Sequence, residues 1–99
     1  MVKEIIWTPD AEETLDSVID YLHEHWSEKV TENFIRRVDE VIEHISRNPL
    51  ACRTAGREDV REALITKHNL LLYRIAGKSI YLLYFWDTRN NPATKPWGE

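Results

Sequence analysis

The side chains that could act on phosphate or move a proton are concentrated in the second half of this chain. They are Arg61, Lys67, His68, Arg74 and Arg89. Cations stabilise phosphate charge and histidine transfers protons near neutral pH, so such a set could cleave a phosphodiester or bind an acidic surface. Ordinary structural roles are also open to them. Arg61 could form a cross-strand ion pair, and Arg89 could pair weakly with Asp87 at an exposed rim. Lys67 and His68 lie in a predicted turn, where solvated side chains are common.

The remaining histidines and the single cysteine do not form a pattern for metal binding or nucleophilic catalysis. His23 and His25 are two residues apart in a predicted helix and point in different directions, while His44 is isolated. Cys52 is the only cysteine, lies in a predicted loop and has no His-Asn constellation to activate it. The sequence therefore predicts no metal and no cofactor.

Composition indicates one folded domain over residues 1–99, with a net charge of −4. Residues 1–50 carry twelve acidic and five basic side chains, whereas residues 51–99 carry eight basic and five acidic ones. An acidic chain is a poor candidate for wrapping nucleic acid, because phosphate neutralisation supplies most of that affinity. The N-terminus lacks the pattern of a signal peptide, and no apolar run reaches membrane-spanning length. The prediction is a cytoplasmic protein without a membrane partner.

Apolar periodicity predicts two helices and four strands in the order β-α-α-β-β-β. Thr8-Pro9-Asp10 combines a hydroxyl N-cap, a first-turn proline and a first-turn acid, and Ser27 is a second candidate N-cap. Each helix carries one apolar stripe, predicted to be core, and the first stripe ends at Trp26. Tight turns predict an antiparallel meander over residues 60–66, 70–76 and 79–86, and the run before Thr8 can join the same sheet.

The predicted fold class is α+β, with a helical hairpin packed on one face of a mostly antiparallel four-stranded sheet. Strict alternation sorts the last strand into two sets, Ile80, Leu82, Tyr84 and Trp86 against Tyr81, Leu83 and Phe85. Both sets are apolar, yet two helices can cover only one face. The other face is expected to expose a large apolar patch, which soluble monomers usually avoid, so a bound peptide or a second subunit should cover it.

Several short motifs occur in a characteristic order along nearly the whole chain. They are residues 9–13 (Pro-Asp-Ala-Glu-Glu), Asn48-Pro49, Val60-Arg61-Glu62, Leu72-Tyr73-Arg74-Ile75 and residues 86–92 (Trp-Asp-Thr-Arg-Asn-Asn-Pro). Together they resemble the ParE/RelE toxin superfamily, the toxic halves of bacterial toxin–antitoxin modules. The resemblance implies a toxin held inactive by a cognate antitoxin, whose extended C-terminal segment folds against the helices and sheet. The residues assigned to antitoxin binding are Leu70, Leu72, Arg74, Leu83 and Phe85.

The superfamily has two functional branches. RelE-like members cut messenger RNA on the ribosome, using basic residues on three neighbouring strands and a C-terminal tyrosine or histidine, whereas ParE-like members are associated with poisoning DNA gyrase. On the family pattern only Arg61 and Arg89 match the catalytic positions. Ala63, Leu70 and Lys95 stand at the others. The incomplete set favours the ParE-like branch and argues against ribonuclease activity.

Three hypotheses follow for the function. The first is a ParE-like toxin that binds DNA gyrase through a target-binding set of Arg61, Arg74, Trp86, Arg89 and Trp97. The second is a RelE-like, ribosome-dependent mRNA endonuclease with a rearranged catalytic set of Arg61, Lys67, His68 and Arg89. The third is a non-toxic module that retains only antitoxin binding.

Overall fold

Two helices lie on one face of a mixed sheet in the computed structural model, which describes residues 3–56 and 59–88. Within those residues the elements are β1 (Glu4–Trp7), α1 (Pro9–His25), α2 (Glu28–Arg47), β2 (Val60–Thr66), β3 (Asn69–Ala76) and β4 (Ser79–Asp87). The strand order is β1-β4-β3-β2. β1 runs parallel to β4, and the other two pairs are antiparallel. The predicted fold class is confirmed.

Both helices begin at the hydroxyl residues that the sequence indicates. The Thr8 hydroxyl accepts a hydrogen bond from the Ala11 N–H at 3.1 Å, and the Ser27 hydroxyl accepts one from the Val30 N–H at 3.1 Å. These side chains satisfy N–H groups that a helix start leaves without an intrahelical partner. Only two residues separate α1 from α2, so the helices form a hairpin. Neither helix is long and apolar enough to cross a membrane, within the residues described.

The main core lies between the helical hairpin and the sheet. α1 packs over β4 and α2 over β2, so the two helices straddle β3. The hairpin contributes Ala11, Phe34, Val38, Val41 and Ile45, and the sheet contributes Ala63, Ile65, Leu71, Tyr73, Ile80, Leu82 and Phe85. Burial of such side chains is the principal source of stability in a domain of this size.

The face of the sheet opposite the helices, called here the second face, is only partly covered. Val60 and Leu72 are buried there against Ala55, which belongs to the segment that joins α2 to β2. Leu70, Leu83, Tyr84 and Trp86 pack around them and are partly buried. The apolar patch expected on this face is therefore reduced but still partly open, and Leu64, which pairs with Leu70 in the strand register, is 55% exposed. The connecting segment covers part of this face, a contact that strand alternation alone does not reveal.

Candidate binding surfaces

A β-bulge in β4 decides which side chains reach the second face. Leu72 pairs with Tyr84 and Tyr73 pairs with Leu82, so Leu83 is an extra residue in the ladder. Beyond the bulge the alternation of β4 changes phase. Phe85 consequently joins the helix-covered core and is 4% exposed, while Tyr84 and Trp86 pack on the second face. The grouping by strict alternation is wrong at this point, and Phe85 does not share a surface with Leu83.

Two threonines at the start of α1 hold the bulge. The Thr8 hydroxyl donates to the Leu82 carbonyl at 2.7 Å, and the Leu83 carbonyl lies 3.2 Å from the same oxygen. The Thr14 hydroxyl accepts a hydrogen bond from the Phe85 N–H at 2.9 Å. The pairing of β1 with β4 ends at Trp7 and Leu82. Beyond that point the two threonine hydroxyls, rather than β1, form hydrogen bonds with the backbone of β4. The helix thus satisfies backbone groups that would otherwise be buried without a partner.

Arg74 lies at the end of the second face nearest the β3–β4 turn. Its guanidinium stands over the Tyr81 ring, 5.4 Å from the ring centroid, and the two residues are partners in the strand register. This is the geometry of a cation–π contact. Arg74 therefore borders the apolar cluster formed by Leu70, Leu72 and Leu83, as expected from its position in β3. A partner that contacts this cluster also meets a positive charge.

Arg61 lies on the other face of the sheet. It is paired in register with Tyr73 and donates a hydrogen bond to the Cys52 carbonyl. Tyr73 is fully buried and donates to the Pro49 carbonyl at 2.7 Å. Burial raises the pKa of the Tyr73 phenol well above its usual range, and Cys52 raises it further, whereas Arg61 lowers it. Arg61 and Arg74 are thus on opposite faces and do not form one site.

Lys67 and His68 form the turn between β2 and β3, at the far end of β2 from Arg61. At about 3.3 Å per strand residue, Arg61 and Lys67 are about 20 Å apart. The Thr88 N–H donates to the His68 carbonyl at 2.8 Å, which ties this turn to the end of β4. The structure therefore does not bring Arg61 together with Lys67 and His68. Arg89, Lys95 and Trp97 lie outside the described residues.

A groove at the tip of the helical hairpin is the feature that sequence reasoning missed. It has a volume of about 750 Å³ and opens between α1, α2 and the end of the sheet. Its walls are largely apolar, and most of its polar residues lie on α2 and at the end of the sheet. The lining comprises Ser17, Val18, Tyr21, Leu22, Trp26, Val30, Asn33, Phe34, Arg37, Thr66, His68, Asn69 and Asp87.

Three large side chains at the groove are open to solvent. Trp26 is 61% exposed, Tyr21 is 47% exposed and Val30 is 38% exposed. The sequence-based assignment of Trp26 to the core is wrong, because the helices end there and extend past the sheet residues that could cover it. A signal was present in Tyr21, a large aromatic residue that lies off the apolar stripe of α1 and is four positions from both Ser17 and His25.

Over residues 3–56 and 59–88, no three or more His, Cys, Asp or Glu side chains gather in a way that could hold a metal ion. Cys52 is a free thiol of intermediate exposure. The polar groups near it are the Tyr73 phenol and the Arg61 guanidinium, both of which are bonded to carbonyls of the connecting segment.

Comparison with known protein families identifies the chain. Residues 5–92 match the family described as the ParE toxin of the type II toxin–antitoxin system parDE. This chain belongs to the ParE toxin family. The match includes all of the helices and strands described above except Glu4, the first residue of β1. No curated protein matches the sequence at a significant level.

Solved structures similar to this toxin share its whole architecture. The chromosomal ParDE toxin–antitoxin system of P. aeruginosa gives a TM-score of 0.76 at 19% identity, covering 89% of this chain and 98% of that chain. The RelBE2 toxin–antitoxin complex of Mycobacterium tuberculosis gives 0.62 at 18% identity, covering 88% and 99%. The YoeB dimer of Staphylococcus aureus gives 0.60 at 15% identity, covering 87% and 97%. The shared fold spans both branches, so it does not distinguish them.

Proposed function

We propose that this toxin stops growth by binding a cellular target, DNA gyrase, and that a cognate antitoxin neutralises it. Membership of the ParE family supports the toxin assignment. The observation that carries the mode of action is the separation of the cationic side chains. Arg61 and Arg74 lie on opposite faces, and Lys67 and His68 lie at the far end of β2. These cations therefore do not form one cluster, and each would contact a target separately.

Separated cations fit binding better than RNA cleavage. A general acid or base must come within hydrogen-bond reach of the proton it moves, about 3 Å, and a phosphate-stabilising cation must lie beside it. The roughly 20 Å between Arg61 and Lys67 is too large for one scissile phosphate. In the proposed mode of action Arg74 and Trp86 contribute to target binding from the second face. Arg61, and the residues Arg89 and Trp97 outside the described part of the chain, complete the proposed target-binding set.

The antitoxin is proposed to cover the second face. Leu70 and Leu83 are partly buried, and Arg74 borders them with a guanidinium held on Tyr81. Leu72 supports this surface from beneath, since it has no exposed area of its own. Phe85 belongs to the opposite, helix-covered face and would support the surface only through the backbone of β4. Structures of similar fold include toxin–antitoxin complexes, which supports a partner of this kind.

The proposal is tested by expressing the toxin with and without its antitoxin in cells that carry a DNA-damage reporter. We expect growth arrest and reporter induction with toxin alone, and neither with both proteins. Purified toxin should inhibit supercoiling by purified gyrase. Arg74→Ala should weaken this inhibition, and Arg47→Ala, which removes an exposed cation of α2, is the matched control.

Mapping of transcript ends in the same cells separates the competing functions. Cleavage of ribosome-bound transcripts without reporter induction would assign the toxin to the mRNA-cutting branch. Normal growth at high expression, together with tight antitoxin binding, would show that only the antitoxin-binding function is retained. Both results would contradict the gyrase proposal.

A further inference from the structure

The groove at the tip of the helical hairpin opens beside the point where β4 ends. Asp87, the last residue of β4, lines it, and so do His68 and Asn69. The Thr88 N–H donates a hydrogen bond to the His68 carbonyl at 2.8 Å, which holds the end of β4 at the edge of the groove. The next segment, residues 89–99 and called here the tail, therefore starts within reach of the groove.

The tail is long enough to run along the whole groove. The lining on α1 extends from Ser17 to Trp26, about 14 Å at 1.5 Å per residue. Trp97 is nine positions after Thr88 in the sequence. An extended chain of that length spans up to about 30 Å, so Trp97 can reach any position in the groove without a fully extended connection.

The walls of the groove suit the apolar side chains of the tail. Tyr21 and Trp26, which line the groove, are 47% and 61% exposed. The tail contains Pro92 and Pro96, and Trp97 follows the second proline directly. Proline-containing segments bind aromatic-lined grooves because their extended conformation is already favoured before binding. Docking of the tail would remove the two exposed rings and the tail tryptophan from water together.

Charge also favours the tail on the α1 side of the groove. Helix α1 contains six acidic side chains and no lysine or arginine. Asp20 and Glu24 are exposed and lie three positions from Ser17 and Tyr21 of the lining, so they are neighbours of the groove on the helix surface. Lys95 precedes the tail tryptophan by two positions and can meet these carboxylates. α2 carries both signs beside the groove and adds no such preference; its charged residues there are Lys29, Glu32, Arg36, Arg37, Asp39 and Glu40.

We propose that the tail folds back along the hairpin tip and inserts Trp97 into the groove, with Lys95 facing the carboxylates of α1. The groove is then an intramolecular binding site for this chain's own residues. Residues 93–99 lie beyond the family match, which ends at residue 92, so family membership does not supply this contact. Trp97 also belongs to the proposed target-binding set, and it can contact a target only after the tail leaves the groove. The docked tail therefore opposes target binding through Trp97, but the docking itself does not depend on the proposed function.

Fluorine NMR of the whole chain tests the contact directly. The toxin is made by cell-free synthesis with 5-fluorotryptophan, and its four tryptophan resonances are assigned by replacing each tryptophan in turn with phenylalanine. Trp97→Ala should shift the resonance of Trp26, which lines the groove, and leave that of Trp86 on the second face unchanged. Asn90→Ala changes the tail but keeps its tryptophan, and this control should shift neither resonance.

A labelled peptide with the sequence of residues 89–99 measures how strongly the tail occupies the groove. Added to the toxin, the peptide competes with the attached tail. We expect it to bind the Trp97→Ala toxin at least about 10-fold more tightly than the wild type, because the wild-type groove is open only in the fraction of molecules whose tail is released. The Asn90→Ala toxin should bind the peptide as weakly as the wild type.

Charge reversal on α1 tests the role of Lys95. Asp20→Lys with Glu24→Lys, introduced into the Trp97→Ala toxin, should weaken binding of the peptide by like-charge repulsion. Glu12→Lys with Asp16→Lys makes the same change of net charge on another side of α1 and should weaken it less. Circular dichroism on all variants confirms that the helices are intact.

Four outcomes would overturn the inference. A Trp26 resonance that does not respond to Trp97→Ala would show that the two rings are not in contact. A response of Trp86 in its place would put the tail on the second face. A Trp26 response that grows with toxin concentration would make the tail of a second copy the occupant. Equal peptide affinity for the wild type and the Trp97→Ala toxin would show that the attached tail leaves the groove open. None of these measurements involves gyrase or growth arrest, so the docked tail and the proposed function can fail separately.

Discussion

The two faces of the β3–β4 pair are equally apolar in sequence and very different in structure. On the helix-covered face Leu71, Tyr73 and Leu82 have no exposed surface. On the second face, among the described residues of these two strands, only Leu72 has no exposed surface, and the side chains packed around it are partly exposed. Hydrophobicity therefore does not decide which face is core. The number of side chains that the rest of the chain packs against each face decides it, and the less covered face is the one proposed above to bind the antitoxin.

Adjacent leucines of β3 give the most direct test of this difference. Leu71→Ala removes a side chain that is fully enclosed by the hairpin, and we expect a loss of about 2–5 kcal/mol in the free energy of unfolding. Leu70→Ala removes a partly open side chain from the second face, and the expected loss is about 1 kcal/mol. Urea unfolding followed by far-UV circular dichroism measures both. Equal losses would mean that the second face is as much a part of the core as the first.

Removal of the Thr14 hydroxyl tests whether its hydrogen bond to the Phe85 N–H holds the bulge that places Phe85 on the helix-covered face. Thr14→Val keeps the shape of the side chain but leaves the Phe85 N–H without its acceptor. The expected loss is about 1–3 kcal/mol, because a part-buried donor is no longer satisfied. Hydrogen exchange at the Phe85 amide should accelerate in the same variant. Thr14→Ser retains the hydroxyl and should exchange nearly as slowly as the wild type. Fast exchange in both variants would contradict this role for the hydroxyl.

A small effect, similar in size to that of Leu70→Ala, is expected from the loss of the Tyr73 hydroxyl. Tyr73→Phe removes the hydrogen bond to the Pro49 carbonyl, and we expect a loss of about 1 kcal/mol at neutral pH. Burial raises the pKa of this phenol in the folded state above its ordinary value of 10.0. The unfolded chain therefore releases the proton first, so wild-type stability is complete below about pH 10 and falls as the pH rises further.

The phenylalanine variant lacks that titration, so its stability should decline less above pH 10 than that of the wild type. The gap between the two proteins should narrow there. Chemical unfolding at a series of pH values from 7 to 11 measures it. A gap that stays constant across this range would show that the phenol titrates alike in the folded and unfolded states.

Most of the fold could be predicted because its signals are local. Thr8 and Ser27 cap the helices that they are predicted to start, and the two β-turns place three strands next to one another in the chain. These features depend on residues within a few positions of each other, where propensity and capping chemistry are decisive. The sequence also indicates that the run before Thr8 can join the same sheet, but it specifies neither β4 as its partner nor the parallel direction of the pairing.

The binding surfaces could not be predicted to the same extent, because they depend on residues far apart in sequence. The bulge that moves Phe85 into the core is held by Thr14, 71 residues earlier. The groove is formed by the ends of two helices and a turn near residue 67, and no local pattern specifies how far the hairpin extends past the sheet. Strand alternation and helical stripes predict which side chains share a face of one element. They do not predict a bulge in a strand or how much of that face a neighbouring element covers.

The parallel pairing of β1 with β4 also has a consequence for the order of folding. Glu4 and Ser79 are neighbours in the sheet although 75 residues separate them in the chain. The β2–β3–β4 meander closes through short turns, whereas this pairing must close a long loop and is expected to form late. α1 follows β1 directly and packs on β4. The α1 side of the groove is therefore expected to reach its final position only when β1 pairs with β4. The tail proposed to dock in the groove would then find both walls in place only at the end of folding, and newly made toxin would pass through an interval in which its tail is not yet held there.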